Sequence, residues 1–392
     1  MSETQFIAAL DVLFPRGNKL FGDSGQHGEA QIPPWPSVAA GAIRSRMLAD
    51  AGVDFFAFAR GEHVSDTTLH EALGTPAEPG SFRIAWFSVA RRVSGKVEPL
   101  TALPADLAAA EHEDAIRYLH PHPLPQGFKS SGATECLAVL RRPRGAKLEG
   151  GLWLNAAGLA AYLRGEPLSR QAHTVRTSQI WKSDQRIGIA LDPEKRSAAE
   201  GRLYTAEAVS LEEGVGFVAS VEGADGRVPS NGLLRLGGDG RGARVEACEV
   251  HWAHPAWDRI ATQKKFRLVL ATPGVFEHGW LLPGIQPDGV TWRGPDGVTA
   301  RLVSAAVPRA QVISGWDIAK WSTGKPGPKP ALRAAPAGSV YWLNAADADG
   351  PVSVAALRKL AVQGFGCVSG YPDRTRLVEG FNNVIVANWT EA

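Results

Sequence analysis

The stretch Leu234 to Ala247, LRLGGDGRGARVEA, constrains this chain more than any other. Glycines at 237, 238, 240 and 242 separate two short apolar runs, with Arg235, Arg241 and Arg244 interleaved. Four glycines in six positions exceed what a hairpin turn needs. Lacking Cβ atoms, they reach left-handed backbone angles and leave amide N–H groups uncovered. A phosphate can then approach the main chain closely, with guanidinium forks on both flanks. The same residues also suit a plain glycine-rich surface loop, so the rest of the chain has to decide between the two.

At 392 residues the chain is too long for one compact core, and two or three domains are expected. A hydrophobic share of 44% beside 21% charged residues gives each half enough apolar material to bury. The formal net charge is only +2, so any nucleic-acid surface must come from local clustering, which argues against a free-standing DNA-coating protein. Cys136, Cys248 and Cys367 are odd in number and form no CxxC pair, as expected of a reducing compartment. The opening MSETQFIAALDVLF has no secretory pattern and no later run reaches membrane-spanning length, so a cytoplasmic protein without membrane contact is expected.

Phe6 to Phe14 reads as a central strand covered on both faces, broken by Pro15 and Gly17 with Arg16 and Lys19 in the break. A glycine-flanked loop carrying His27 follows. Pro33 to Pro36 then leads into a helix over Val38 to Leu48, with Ser37 as its expected cap. Arg44 and Arg46 lie about 200° apart on that helix, so at most one faces a shared ligand. Ser81 to Arg92 and Ala133 to Arg141 are strand candidates, and alanine-rich Ala105 to Leu119 reads as a surface helix. Trp153-Leu154-Asn155-Ala156-Ala157 recurs as Trp342-Leu343-Asn344-Ala345-Ala346, a hint of two related halves. Leu203 to Leu211 and Val215 to Val221 flank Glu212-Glu213-Gly214, a hairpin signal. These strands and helices suggest an α+β protein with one unit over residues 1–223 and a second over 224–392.

A second basic stretch runs from Ile318 to Ala346 without a single Asp or Glu, while Lys320, Lys325, Lys329 and Arg333 are spread through Pro and Gly. Cations beside Trp316 and Trp321 on such a backbone suit a polyanion with unstacked bases, or equally a solvated basic loop. Gly324-Lys325 is no phosphate loop, because Pro326 stands where Ser or Thr is required. Cys248, His251 and His254 have a spacing open to zinc, but no second ligand pair of the usual spacing appears, and Trp252 and Trp257 favour aromatic packing. No cofactor is implied. His27 is the best acid–base candidate, since imidazole titrates near neutrality; with no evident paired group, a plain phosphate or solvent contact is the simpler reading.

Taken in order, FIAALDVLFPRGNKLFG, PPWPSVAAGAIRSRML, GRLYTAEAVSLEEGVGFVASV, LRLGGDGRGARVEA, LATPGVFEHGWLLPG and SGWDIAKWSTGKPGPKPALRAAPAGSVYWL resemble the third-subunit family of the Cmr module. That family belongs to the RAMP superfamily of type III-B CRISPR effector complexes. The resemblance implies two ferredoxin-like (RRM-like) βαββαβ domains with insertions and glycine-rich loops. It implies a non-catalytic, cofactor-free subunit that binds the 5′ handle of the guide crRNA. The implied protein partners are the large polymerase/cyclase-like subunit, the repeated RAMP backbone subunit and other effector-complex subunits. By position, Gly237, Gly238, Arg241 and Arg244 would face guide RNA, and Ser37 with Arg44 or Arg46 its backbone. Arg16, Lys19, His27, Lys325, Lys329 and Arg333 complete the expected RNA-binding set. The alternatives are a metal-independent endoribonuclease of the same superfamily, with His27 as acid or base, and a metal-dependent or carbohydrate-active enzyme built around Cys248 to Trp257.

Overall fold

The computed structural model describes residues 2–17, 27–62, 64–128, 130, 132–141, 147–192, 194–195, 197–237, 239–320, 325, 327–346, 352–368 and 373–390. Strands outweigh helices, and the protein is α+β. Its larger sheet has eight antiparallel strands, with β1 (Glu3–Ala9) between Val215–Glu222 and Arg241–Ala247. Gln5, Phe6 and Ile7 are almost wholly buried there, as the apolar run from Phe6 requires, but the strand stops at Ala9 and Leu10 is already exposed. Helix α1 (Pro36–Asp50) covers one face. Its Ala39, Ala40, Ile43 and Met47 join Ile7, Phe217, Leu234 and Val245 in one core cluster.

The order along the centre of this sheet is Arg241–Ala247, β1, Val215–Glu222, Arg83–Val93. Taking β1, Arg83–Val93, Val215–Glu222 and Arg241–Ala247 as strands one to four, that order is 4-1-3-2. The five-stranded second sheet repeats it: Val384–Asn388, Lys265–Leu270, Val340–Asn344, Thr299–Ala306, with Thr291–Arg293 at the edge. Helix Val354–Gln363 covers one of its faces through Ala356, Leu357 and Leu360. Residue 224 falls between strands of the first sheet, because the hairpin Asn231–Leu236 and Arg241–Ala247 pairs with β1. The second sheet begins only at Lys265.

The other face of the second sheet is packed by material from the first half. Helix Ala156–Arg164 and the hairpin Leu107–Ala109/Ala115–Tyr118 bring Leu159, Tyr162 and Ile116 against Val269, Val340 and Trp342. Here the alanine-rich segment departs from the expected helix: its alanines at 108 to 110 are buried, Ala109 in the junction cluster itself, and burial overrides local propensity. Asp106 and Arg267, both fully buried, pair across this junction; Tyr162 donates its hydroxyl to Asp106 at 2.9 Å and the guanidinium lies 4.4 Å from the Tyr162 ring centre.

Two other sequence readings change. Ala198–Leu211 does not pair with Val215–Glu222; it forms a long ribbon with Trp181–Leu191, and the turn at Glu212 passes the chain from ribbon to sheet. The repeated WLNAA segments also occupy unlike places. Leu152–Leu154 lies toward one side of the large sheet, whereas Val340–Asn344 is central to the second. The likeness of the halves resides in strand order, not in that pentapeptide.

Candidate nucleic-acid interface

The glycine stretch forms the tip of the hairpin that ends the large sheet. Gly237 and Gly240 both adopt left-handed angles, at φ +81° and +64°, and the Gly240 N–H donates to the Gly237 carbonyl at 3.1 Å. An added Cβ at Gly237 would meet open space, so the glycine there serves the backbone conformation alone. Beside the tip runs the loop after β1. It is fixed by Leu10 N–H donating to the Gly242 carbonyl at 3.0 Å, and by Gln31 N–H donating to the Pro15 carbonyl at 2.7 Å.

Alternation along the hairpin divides its arginines. Leu234, Leu236, Ala243 and Val245 point to the helix side and are buried. Arg235 and Arg244 therefore share the opposite face, exposed beside Leu10 and Leu233, and Arg244 sits opposite Leu233 in register. Arg241, three residues before Arg244, is on the helix side at the tip. Its guanidinium lies 4.8 Å from the Phe14 ring centre and reaches Asp11 at 3.4 Å, and Arg186 of the ribbon lies 5.7 Å from the same ring. Arg16 reaches over to Asp239 at 3.0 Å, tying the loop to the glycine tip while remaining 62% exposed.

Two cavities meet at this wall. One, of about 710 Å³, opens toward the ribbon and is lined by Asp11, Phe14, Arg16, Tyr204, Glu207 and Asp239 among others. The other, of about 150 Å³, lies under the start of α1, against Trp35, Val38, Leu236 and Gly237. Phe14, Pro15, Arg16, Asp239 and Arg241 border both. Helix α1 is not capped by Ser37: it begins at Pro36, whose missing N–H costs nothing in the first turn, and Trp35 precedes it in extended geometry. Ser37 is the second residue of that first turn, half-buried.

The structure thus brings together Arg16, the start of α1, Gly237 and Arg241. It spends Arg44 and Arg46 on the protein's own acceptors. Arg44 donates to the Leu73 carbonyl at 3.3 Å, and burial pulls its guanidinium below the ordinary value against the opposing pull of Glu379. Arg46 pairs with Asp50 at 2.6 Å and donates to the Leu233 carbonyl on the sheet's edge strand. Lys329 pairs with Glu379 at 2.6 Å, with Arg376 on the same carboxylate at 3.0 Å. Arg333 is exposed on the small ribbon Gln311–Ile313/Leu332–Ala334, whose Ile313 and Ala334 belong to a buried cluster against which Trp35 also packs, so this basic stretch borders the helix start. Lys325 is exposed. Lys19 and Gly238 lie outside the described residues. The backbone of His27 pairs with Thr205 of the ribbon, and its side chain is outside the description.

Sequence reasoning missed the ribbon's part in the site: Arg186 comes from Trp181–Leu191, which carries no clean alternation, and Tyr204 and Glu207 from its partner strand Ala198–Leu211. It also missed the Arg16–Asp239 tie, which joins residues 223 positions apart. The segment beyond the hairpin packs: Trp252 lies 4.8 Å from Trp86, and Cys248 sits against the small cluster of Phe6 and Val218. Among the described residues no group of three His, Cys, Asp or Glu could hold a metal ion, and no helix is long and apolar enough to cross a membrane.

Among solved structures, the chain is similar to one from a cryo-EM study of the type III-B Cmr-beta bound to cognate target RNA and AMPPnP. Identity is 15%, coverage 87% of this chain and 86% of that one, and TM-score 0.46. A second, of the type III-B Cmr-beta bound to cognate target RNA, gives 15%, 87%, 86% and 0.43. No curated protein matches. A family model described as CRISPR-associated protein (Cas_Cmr3) matches residues 6–376. With all but the two ends of its sequence inside that match, the chain belongs to the CRISPR-associated Cas_Cmr3 family.

Proposed function

We propose that this chain is the third subunit of a type III-B CRISPR (Cmr) effector complex, a RAMP-superfamily protein that holds the 5′ handle of the guide crRNA without cutting it. On this reading it also docks the large polymerase-like subunit and the repeated backbone subunit. Each run of four strands in 4-1-3-2 order is a ferredoxin-like half that has lost one of its two helices and gained insertions. Family membership supports the CRISPR assignment.

The observation that carries RNA binding is the convergence at the glycine tip. Exposed backbone of Gly237 and Gly240, the start of α1, and Arg16 and Arg241 share one wall between two cavities, with Arg235 and Arg244 on the adjoining face. Helix starts and left-handed glycine turns present N–H groups to anions, and arginine adds charge in a planar fork. Two hands of contact, one on each face of the hairpin, suit a single strand bent over the tip.

The test is titration of the full chain with guide RNA carrying or lacking its 5′ handle, over a range of salt, with Arg241→Ala/Arg244→Ala as the variant. Handle-dependent binding with a shallower salt slope in the variant is expected. Equal binding of both RNAs, or an unchanged slope, overturns the reading.

A further inference from the structure

The larger cavity has the wrong charge for a phosphate. Its lining carries Asp11, Glu29, Glu207 and Asp239 against Arg16 and Arg241, four carboxylates to two guanidinium groups. A divalent cation does not answer this excess, since no three such ligands among the described residues stand close enough to hold one. The volume, about 710 Å³, is within the range of roughly 300–1,000 Å³ that small-molecule sites occupy. What suits a carboxylate-lined recess is a neutral group rich in N–H donors.

The cavity also offers a flat surface. Tyr204 faces Gly188 across the ribbon, and its ring lies so closely over that glycine that an added Cβ would collide with it. The ring is thereby held flat on the ribbon backbone while Tyr204 lines the cavity, 37% exposed. Of the carboxylates, Glu207 is taken up by the Ala30 N–H at 2.8 Å and by Ser183, and Asp239 by Arg16. Asp11 is 66% exposed, and one of its oxygens has only the long 3.4 Å contact with Arg241.

We propose that this cavity receives one unstacked nucleobase of the bound RNA, laid on Tyr204 with its Watson–Crick edge toward Asp11, and that it selects guanine over uracil. Guanine presents N1–H and a 2-amino group side by side, which a carboxylate accepts together; uracil presents one N–H between two carbonyl oxygens that the carboxylates repel. The sugar–phosphate then stays on the rim, where Arg16 and Arg241 stand. The inference rests on the RNA-binding reading above and adds the chemistry of the base.

The experiment measures binding of the full chain to labelled RNA octamers, all uridine or with one guanosine stepped through each position. At one position guanosine is expected to tighten binding about tenfold, and inosine, which lacks the 2-amino group, to return most of that gain. Asp11→Asn is expected to erase the preference, Tyr204→Phe to keep it, and Gly188→Ala to reduce it by displacing the ring. Absence of any guanosine preference, or its survival in Asp11→Asn, overturns the proposal. If this happens while handle-bearing guide RNA still binds with its salt slope, the base pocket fails and the RNA-binding reading stands; if no RNA binds, both fail.

Discussion

Replacing Arg241 and Arg244 together by alanine removes one cation from each face of the glycine hairpin. Neither supports the fold through a buried contact. Arg244 is exposed on the outer face, and Arg241 is tied by a stacking contact to Phe14 and one long ion pair to an exposed carboxylate. Exposed pairs of that kind contribute about 0–1 kcal/mol, so the variant should fold. For a single strand each neutralised phosphate contributes about −0.7 to the slope of log K against log salt. With Arg16, Arg235, Arg241 and Arg244 each meeting one phosphate, the slope is about −2.8, and affinity falls about 50-fold between 50 and 200 mM salt. The double variant leaves about −1.4, a fall of about sevenfold over the same range. Fluorescence anisotropy with handle-bearing guide RNA at five or six salt concentrations reads the slope directly. Weaker binding with an unchanged slope would mean that the two arginines act on the fold and not on phosphate, and the proposed surface would have to be abandoned.

Asp106→Asn strands the fully buried Arg267 guanidinium without its counter-charge, which should destabilise the junction by about 3 kcal/mol in urea denaturation. A loss under about 1 kcal/mol would mean the pair is not what holds the halves together. Gly237→Ala forces a side chain into a left-handed angle with no compensating contact; a stability loss of about 1 kcal/mol and weaker handle binding are expected in the same assays. Glu149 is held below the usual carboxylate range by hydrogen bonds from Arg170 and then Arg176. A depressed carboxyl stabilises the fold above its unfolded value and loses that effect as the pH falls through its folded one, so thermal stability should drop below about pH 4.5, and drop less in Glu149→Gln.

What the sequence reveals here follows the range of the forces involved. The first strand, the proline-led helix and the glycine turn are local: apolar runs, a ring that fixes φ, and residues without Cβ each act within a few positions, and each element exists where expected, the helix to within two residues at either end and the strand shifted to Glu3–Ala9. The alanine-rich segment and the ribbon fail for the opposite reason. Leu107 and Ala109 become strand while they pack in one cluster with a sheet about 160 residues away, and nothing local in DLAAAEHED states that. The site divides the same way. Arginines around the glycines were legible, but their sorting onto two faces follows from strand register, and the commitment of Arg46 to the Leu233 carbonyl from a contact across 187 positions.

The carboxylates at the tip have a physical use that the arginines alone would not supply. A recess lined only by cations attracts any polyanion, and its affinity is set by phosphate count, whatever the sequence. On the proposed reading, Asp11, Glu207 and Asp239 in the recess repel phosphate from its interior and leave the sugar–phosphate to the rim. The Arg16–Asp239 tie would extend this on the same reading: it joins the loop after β1 to the glycine tip, so that the rim would be shaped before RNA binds. Replacing Asp239 by asparagine should therefore do two things that simple loss of a negative charge would not. It should raise affinity for RNA lacking the handle, because the recess repels phosphate less. It should also slow association with handle-bearing RNA, because a rim that is no longer held must be ordered on binding. If affinity for all RNAs rises in equal proportion and association is not slowed, Asp239 acts only as a charge, and the preformed rim is not part of recognition.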